Sequence, residues 1–468
     1  MSRLHTVEKI GGTSMSRFKE VMDNIFIGDM KPEERYNRVF VVSAYSGITN
    51  MLLEHKKTGE PGVFASFAGL DDSWKNRIDS VKRKMIEINH SLESIGLNIE
   101  KADSFVKERI EGVKVCLQDL LRVRSYGNIR PEDYLPASRE FLSALGEAHS
   151  AYNSALILQA NGINAVFTDL TGWKETATYP INEVIQNAFA DIDLSNEMPI
   201  VTGYTKCSEG MMNRFDRGYS EITFSKLAVV TEAREGVIHK EYHLCTGDPA
   251  LFGIDKVRII GNTNFDIADQ LADMGMEAIH PSASKEMEMK NIPIRVKNAF
   301  EPENPGTLIS PDFVSKHPKV DMICGRDDVI AIEVFDSDMV GQTGYDYRLL
   351  GAFNKYDISY IVKNTNANTI THYVKESNRD IAKAINAMNT EFPKAEIKTY
   401  KVAIICVIGS NMAFPGFLSK AAASLADAEI NILSIDQCLR QVNIQFIVSR
   451  TEFKQAQLAL HRALVENI

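Results

Sequence analysis

In the N-terminal part of the chain, short β-branched runs alternate with longer stretches whose apolar residues recur every three or four positions. VFVVSAYSG (Val39 to Gly47) reads as a buried strand ending in small residues, a strand followed by a turn. Between about Leu142 and Ile309, INAVFTDL, PIVTGYT, EGVIHKEYHL, VRIIG and IPIRVKN read as further strands. Helical patterns such as LSALGEAHSAYNSALILQA and NFDIADQLADMGM separate them. This alternation predicts an α/β fold, a mainly parallel sheet sandwiched by helices. Such sheets bind ligands beyond the carboxyl ends of their strands, so residues just after strands are the ones to weigh.

Two stretches depart from this rhythm. From about Asp71 to Val123, WKNRIDSVKRKMIEI and SFVKERIEGVKVCLQDLL are charged and amphipathic, which predicts a helical insertion on the surface. After the Pro/Gly-rich boundary EPENPGTLISPDF (Glu301 to Phe313), an internal repeat begins. VIAIEVFDSDM (Val329 to Met339) aligns with VAIICVIGSNM (Val402 to Met412), an offset of 73 from Val329 to Val402. Ile332/Ile405, Val334/Val407, Ser337/Ser410 and Met339/Met412 match. After a one-residue slip, Gly344 meets Gly416 and Asp357–Ser359 meets Glu429–Asn431. Each copy reads as strand, helix, strand, strand, helix, a small α+β unit suited to a sensor or to a dimerisation module.

Composition narrows the classes. The 468 residues leave room for about three domains. With 44% hydrophobic and 24% charged residues the chain can bury a full core. The net charge of −10, from 52 basic and 62 acidic residues, argues against nucleic acid or an anionic membrane as the main partner. Six scattered cysteines without a C-x-x-C pair argue against a disulfide scaffold or a structural zinc, and fit a reducing cytoplasm. The opening MSRLHTVEKIGG has no apolar core of a signal peptide, and no apolar run is long enough to span a bilayer.

Five segments carry candidate chemistry. E-K-I-G-G-T-S (Glu8 to Ser14) closes a strand and opens a helix. Its lysine precedes the glycines, so it is not a P-loop. Gly11 and Gly12 nonetheless let a phosphate approach the backbone, within reach of Lys9. S-A-Y-S-G-I-T-N (Ser43 to Asn50) places small hydroxyl residues after a strand. G-E-A-H-S (Gly146 to Ser150) sets Glu147 in an Ala-rich helix, where it needs a cation: Lys, Arg or a substrate ammonium. F-D-R-G-Y-S-E-I-T (Phe215 to Thr223) gathers Arg217, a bidentate grip for a carboxylate, with Ser220 and Glu221. G-D-P-A-L-F-G-I-D-K (Gly247 to Lys256) gives a turn and a second lysine for phosphate contact.

In this order the segments resemble the aspartokinases, an amino-acid-kinase domain followed by two ACT domains. K-x-G-G-T-S is Lys9 to Ser14, S-A-x-x-G-x-T-N is Ser43 to Asn50 and G-E-x-x-S is Gly146 to Ser150. H-P, N-I-P-I and P-G-T-L-I appear as His280-Pro281, Asn291 to Ile294 and Pro305 to Ile309. The resemblance implies a catalytic domain over 1–312, with the insertion at about 71–123, and βαββαβ ACT domains over 322–395 and 396–468, whose segments can interleave. It implies phosphoryl transfer from ATP, with Mg²⁺ on its phosphates, to the side-chain carboxylate of L-aspartate. Lys9 and Glu221 are then the catalytic candidates, Lys9 stabilising the transferring phosphoryl group. Arg217 would hold the α-carboxylate and Glu147 the α-ammonium, while Ser43, Thr49 and Ser220 seat the substrate. Gly11, Gly12, Thr13, Ser14, Asp248 and Lys256 would lie on the nucleotide side. No protein metal ligand is implied. The attacking carboxylate is already a nucleophile near neutral pH, so no general base is needed and no histidine is assigned one. A homodimer through the ACT domains follows by the same analogy.

The chain also departs from the pattern. G-R-G-G-S-D reads D-R-G-Y-S-E, so Tyr219 replaces a glycine and Glu221 an aspartate. T-D-V is His239-Lys240-Glu241, and the arginine after D-P is Ala250, both on the nucleotide side. These features, with H-T-V-E-K-I-G-G-T-S-M, are similar to a branch associated with ectoine synthesis in salt-tolerant bacteria. In the first ACT unit Ile361 stands where related enzymes meet an effector's ammonium with a carboxylate, which implies weak or absent inhibition by lysine. Two other readings stay open: a degenerate kinase fold kept as an amino-acid-binding regulator, and a kinase for another acidic amino acid such as glutamate.

Overall fold

The β-branched runs become strands in a computed structural model that describes residues 4–127, 129–276 and 279–466. The chain divides into two compact units, Met1–Leu244 with Ile279–Pro311, and Cys245–Ala278 with Asp312–Ile468. In the first unit β1 (Thr6–Ile10), β2 (Arg38–Val42), β3 (Ala165–Thr168), β4 (Met198–Thr202) and β5 (Glu235–Lys240) are all parallel. The two-residue β6 (Asn262–Thr263) belongs to the second unit, and β7 (Ile294–Asn298) and β8 (Thr307–Ile309) return to the first. Within the first unit the order is β3-β4-β2-β1-β5-β7-β8, antiparallel only between β7 and β8. The central strands are apolar on both faces, as burial between two helical layers requires: Val39, Phe40, Val41 and Val42 are all fully buried.

VRIIG does not extend into a strand. Among the described residues it makes a single bridge, Ile259 to Cys245.

The charged insertion forms two helices, Trp74–Ser91 and Ile99–Ser125, which run beside the 30-residue helix Pro131–Ala160. Their apolar stripes face inward: Trp74, Ile78, Val81 and Met85 on one, Ala102, Val106, Ile110, Val113 and Leu117 on the other.

In the second unit β9 (Met322–Phe335), β10 (Tyr360–Thr365), β11 (Thr369–Lys375), β12 (Glu396–Ile408), β13 (Ser434–Asp436) and β14 (Asn443–Ser449) form one antiparallel sheet. Its order, β10-β11-β9-β12-β14-β13, is the same in both directions once the repeats are exchanged. Val329 and Val402, equivalent in the repeat, face each other across β9 and β12, so an approximate two-fold passes through that pair. The equivalence extends to the backbone. Gly344 (φ 76°) and Gly416 (φ 89°) open the helices Tyr345–Lys355 and Phe417–Asp427, and Asp357 (φ 51°) and Glu429 (φ 58°) turn out of them. Each repeat packs its helices on one face of its strands around its own apolar core.

Candidate active site

Adjacent parallel strands end side by side, and their loops lock together. Ser43 N–H, just past β2, donates to Ile10 O at the end of β1 (3.1 Å), and Gly203 N–H, just past β4, donates to Val42 O (2.9 Å). Gly11–Ser14 leaves β1 into one helical turn, Gly12–Met15. A Cβ on Gly12 would lie 2.5 Å from Ala44 O, and one on Gly146 would lie 2.6 Å from Ala44 Cβ. Both glycines are therefore close-approach positions that clamp the Ser43–Asn50 loop between the β1 turn and the long helix. Ser150 Oγ adds a bond to Ser43 O at 2.9 Å.

Side-chain alternation along β1 separates two charge clusters. Lys9 Nζ donates to Glu221 Oε1 at 3.2 Å, and His280 N–H donates to Glu221 Oε2 at 2.5 Å. Burial would raise the Glu221 carboxyl, but Lys9, Lys240 and the His280 N–H outweigh it and hold it below its ordinary value. On the other sheet face Glu8 accepts from Arg38 Nε (2.6 Å) and Nη2 (2.9 Å) and pairs with His239 Nε2 (2.7 Å). That cluster keeps Glu8 ionised well below the usual carboxylate range despite its burial, while burial lowers His239.

Glu147, 2% exposed, accepts from Tyr219 OH at Oε1 (2.9 Å). Its Oε2 is buried without a partner, and no cation pairs with it among the described residues. Burial pushes its carboxyl up to about 7. Arg217 Nη1 donates to Asn50 Oδ1 (2.6 Å), and Nη2 donates to Glu54 O and to Glu54 Oε1 (3.2 Å). Glu54 is in turn held bidentate by Arg139, at 2.9 and 2.7 Å.

Of the residues singled out in the sequence, Lys9, Ser43, Thr49, Glu147, Arg217, Ser220 and Glu221 gather where β1, β2 and β4 end. Ser220 packs against Gly203, where an added Cβ would lie 2.7 Å from its Oγ. Gly11, Gly12 and Thr13 sit beside them on the β1 turn. Ser14 is buried and donates to Glu241 Oε1 (2.7 Å), one of the positions that departs from the family pattern. Asp248 and Lys256 belong to the second unit. There Asp248 caps the turn Pro249–Phe252 through Ala250 N–H (2.9 Å), and Lys256 is exposed.

Sequence reasoning passed over Glu54 and Arg139, and named His280 only within the His280-Pro281 landmark, without a role. Glu54 and Arg139 are lone charges 85 positions apart with no spacing rule to join them. His280 leaves a trace, because Gly218 must be glycine: a Cβ there would lie 2.7 Å from the His280 ring.

Comparison with known proteins agrees with this architecture. The model of the amino acid kinase family matches residues 5–298, and an ACT domain model matches 405–464. The aspartate kinase Ask_Ect of Stutzerimonas stutzeri (strain A1501) is 48% identical over 465 residues, covering 99% of this chain and 98% of that one. Aspartokinase 2, chloroplastic, of Arabidopsis thaliana is 26% identical over 99% of this chain and 85% of its own length. The fold matches the crystal structure of E. coli aspartokinase III in complex with aspartate and ADP, at a TM-score of 0.73, 19% identity and 98% and 99% coverage of the two chains. The chain belongs to the amino acid kinase family, and within it to the aspartokinases.

Proposed function

We propose that this protein transfers the γ-phosphoryl group of ATP to the side-chain carboxylate of L-aspartate, giving 4-phospho-L-aspartate and ADP. The observation that carries the reading is the grouping of one cation, Lys9, with two groups of opposite sign, Glu147 and Arg217, where neighbouring parallel strands end. A free amino acid presents an ammonium and a carboxylate, which match a buried carboxylate and a guanidinium. The reacting carboxylate and the phosphoryl group are then left to the lysine. The 48% identity to an aspartate kinase over nearly the full length supports the same acceptor.

In this reading Arg217 holds the α-carboxylate, Glu147 the α-ammonium, and Ser43, Thr49 and Ser220 seat the substrate. Lys9, kept in place by Glu221, offsets charge on the phosphoryl group in flight. Gly11, Gly12, Thr13 and Ser14 serve the nucleotide. Among the described residues no three His, Cys, Asp or Glu side chains cluster as a metal site. Mg²⁺ carried on phosphate oxygens needs no such cage, and when bound it neutralises phosphate charge. The catalytic domain lies within 1–312, from which Cys245–Ala278 passes into the second unit, with ACT domains at 322–395 and 396–468 forming a homodimer. A cytoplasmic enzyme feeding ectoine synthesis fits the resemblance to Ask_Ect. No helix among the described residues is long and apolar enough to cross a membrane.

Hydroxylamine trapping of the acyl phosphate, with Mg-ATP and a panel of acidic amino acids, tests the proposal. Aspartyl hydroxamate should form well above the glutamyl product. Equal or greater glutamyl hydroxamate would reassign the acceptor. No product from any acid, with Mg-ATP still bound, would make the chain a regulator.

A further inference from the structure

Tyr219 places a phenol where the aspartokinase pattern has a glycine, and it lies among the residues proposed to bind the amino acid. It is 2% exposed and meets Tyr204 edge-on, ring centroids 5.6 Å apart. Its hydroxyl donates to Glu147 Oε1 at 2.9 Å and also lies against Thr49. Glu147 has no other side-chain partner among the described residues, and its Oε2 is buried and unpaired.

The groups facing this carboxylate offer no second charge partner. From the segment after β4 comes Tyr204, its own hydroxyl committed to Glu140 at 2.6 Å. On the same helix as Glu147, His149 is kept neutral by burial and bonds to Asn89 at 2.6 Å. Arg217, two residues before Tyr219, is taken by Asn50 and Glu54. From the Ser43–Asn50 loop come only Thr49 and the backbone of Ala44.

We propose that Tyr219 is a positioning residue that fixes one oxygen of Glu147 and keeps it ionised, leaving the other oxygen for the α-ammonium of the substrate. Aspartate binding is therefore linked to loss of the Glu147 proton. The inference rests on the aspartate-kinase reading of this site. Burial opposes ionisation of Glu147 and the phenol favours it, so below about pH 7 the carboxyl carries a proton that the ammonium must displace. Each pH unit below that point should then raise the aspartate KM by roughly tenfold. Removing the phenol oxygen withdraws the one side-chain donor that stabilises the charged form, leaving the backbone N–H groups of Ala44 and Glu147, while the ring keeps its packing on Tyr204.

The test is the pH profile of aspartate KM at saturating Mg-ATP for the full-length wild type, Y219F and E147Q. The wild-type KM should climb on the acid side of neutrality. In Y219F that limb should move to higher pH, with aspartate KM at pH 7 raised roughly tenfold and the KM for ATP held. E147Q should show a high, flat aspartate KM. A Y219F profile that overlays the wild type, or a rise in both KM values together, overturns the inference. Should Y219F fail to fold, the E147Q profile decides alone: an acid limb retained there overturns it. A wild type that makes no aspartyl hydroxamate instead removes the aspartate-kinase reading, an outcome distinct from a normal enzyme with an unmoved Y219F.

Discussion

Glu147 accepts one side-chain hydrogen bond and, among the described residues, meets no cation, so desolvation dominates its ionisation over Tyr219 and the backbone N–H groups and lifts it from 4.5 to about 7. Below pH 4.5 the folded and unfolded chains both hold this proton and stability is unaffected. Between 4.5 and about 7 the unfolded chain has released it and the folded one has not, so stability falls as pH rises. Above that range the full penalty, about 3 kcal/mol, is present. E147Q keeps an acceptor for Tyr219 and carries no charge. Urea denaturation should show it more stable than wild type at pH 8 by up to about 3 kcal/mol, with the gain gone near pH 4.5, while aspartate affinity is lost. Equal stability at both pH values would remove this account. Lys9 makes the complementary case: K9A should lower the rate by roughly 10²–10³ in the hydroxamate assay, the loss of one electrostatic contact to the transferring group. Both residues were legible in the sequence because each stands in a motif whose spacing fixes its surroundings. Glu54 and Arg139 were not, since their pairing exists only once the fold brings them together.

The insertion helices illustrate what an amphipathic pattern reveals and what it hides. The stripe Ile78, Val81, Met85 continues one turn on to Asn89, a buried amide in line with apolar residues. Asn89 Oδ1 faces His149 Nε2 (2.6 Å) and accepts from Asn153 Nδ2 (2.8 Å), while its amide donates to Asp103 (2.9 Å). The helix bearing Glu147 is thus tied to the hairpin by hydrogen bonds at its most buried point. N89A should leave His149 and Asn153 short of partners and cost about 2 kcal/mol in urea denaturation. A loss under half of that would show the network to be dispensable. The sequence predicted the hairpin as a solvated surface insertion, because the period of apolar residues reports which face is inward and nothing about a polar residue set within that face. The strand expected at Val257–Gly261 failed for a related reason: β-branched residues favour extended backbone, but a ladder also needs a neighbour over several residues.

At the scale of the whole chain, the repeat was the most legible feature, since two copies of one pattern must fold alike and Val329 does face Val402. The crossing of the chain between units after Leu244 and again at Ile279 leaves no mark in the periodicity, because membership of a unit is decided by long-range contacts. Regulation through the second unit turns on whether its first repeat can hold an amino-acid effector. Ile361 lies on the edge strand β10, two residues before Lys363, which donates to Asp346 Oδ2, while Asp346 Oδ1 lies 3.4 Å from the fully buried His372. A lysine ammonium entering there would be desolvated against Ile361 or would have to displace Lys363 from Asp346, and either is unfavourable. Full-length protein titrated with L-lysine in a calorimeter should give no binding heat in the micromolar range, and hydroxamate formation should persist in millimolar lysine. Introducing the missing carboxylate as I361D should bring lysine affinity closer to the micromolar range if that single side chain is the deficit. Micromolar lysine binding by the unaltered chain would show that another carboxylate receives the ammonium.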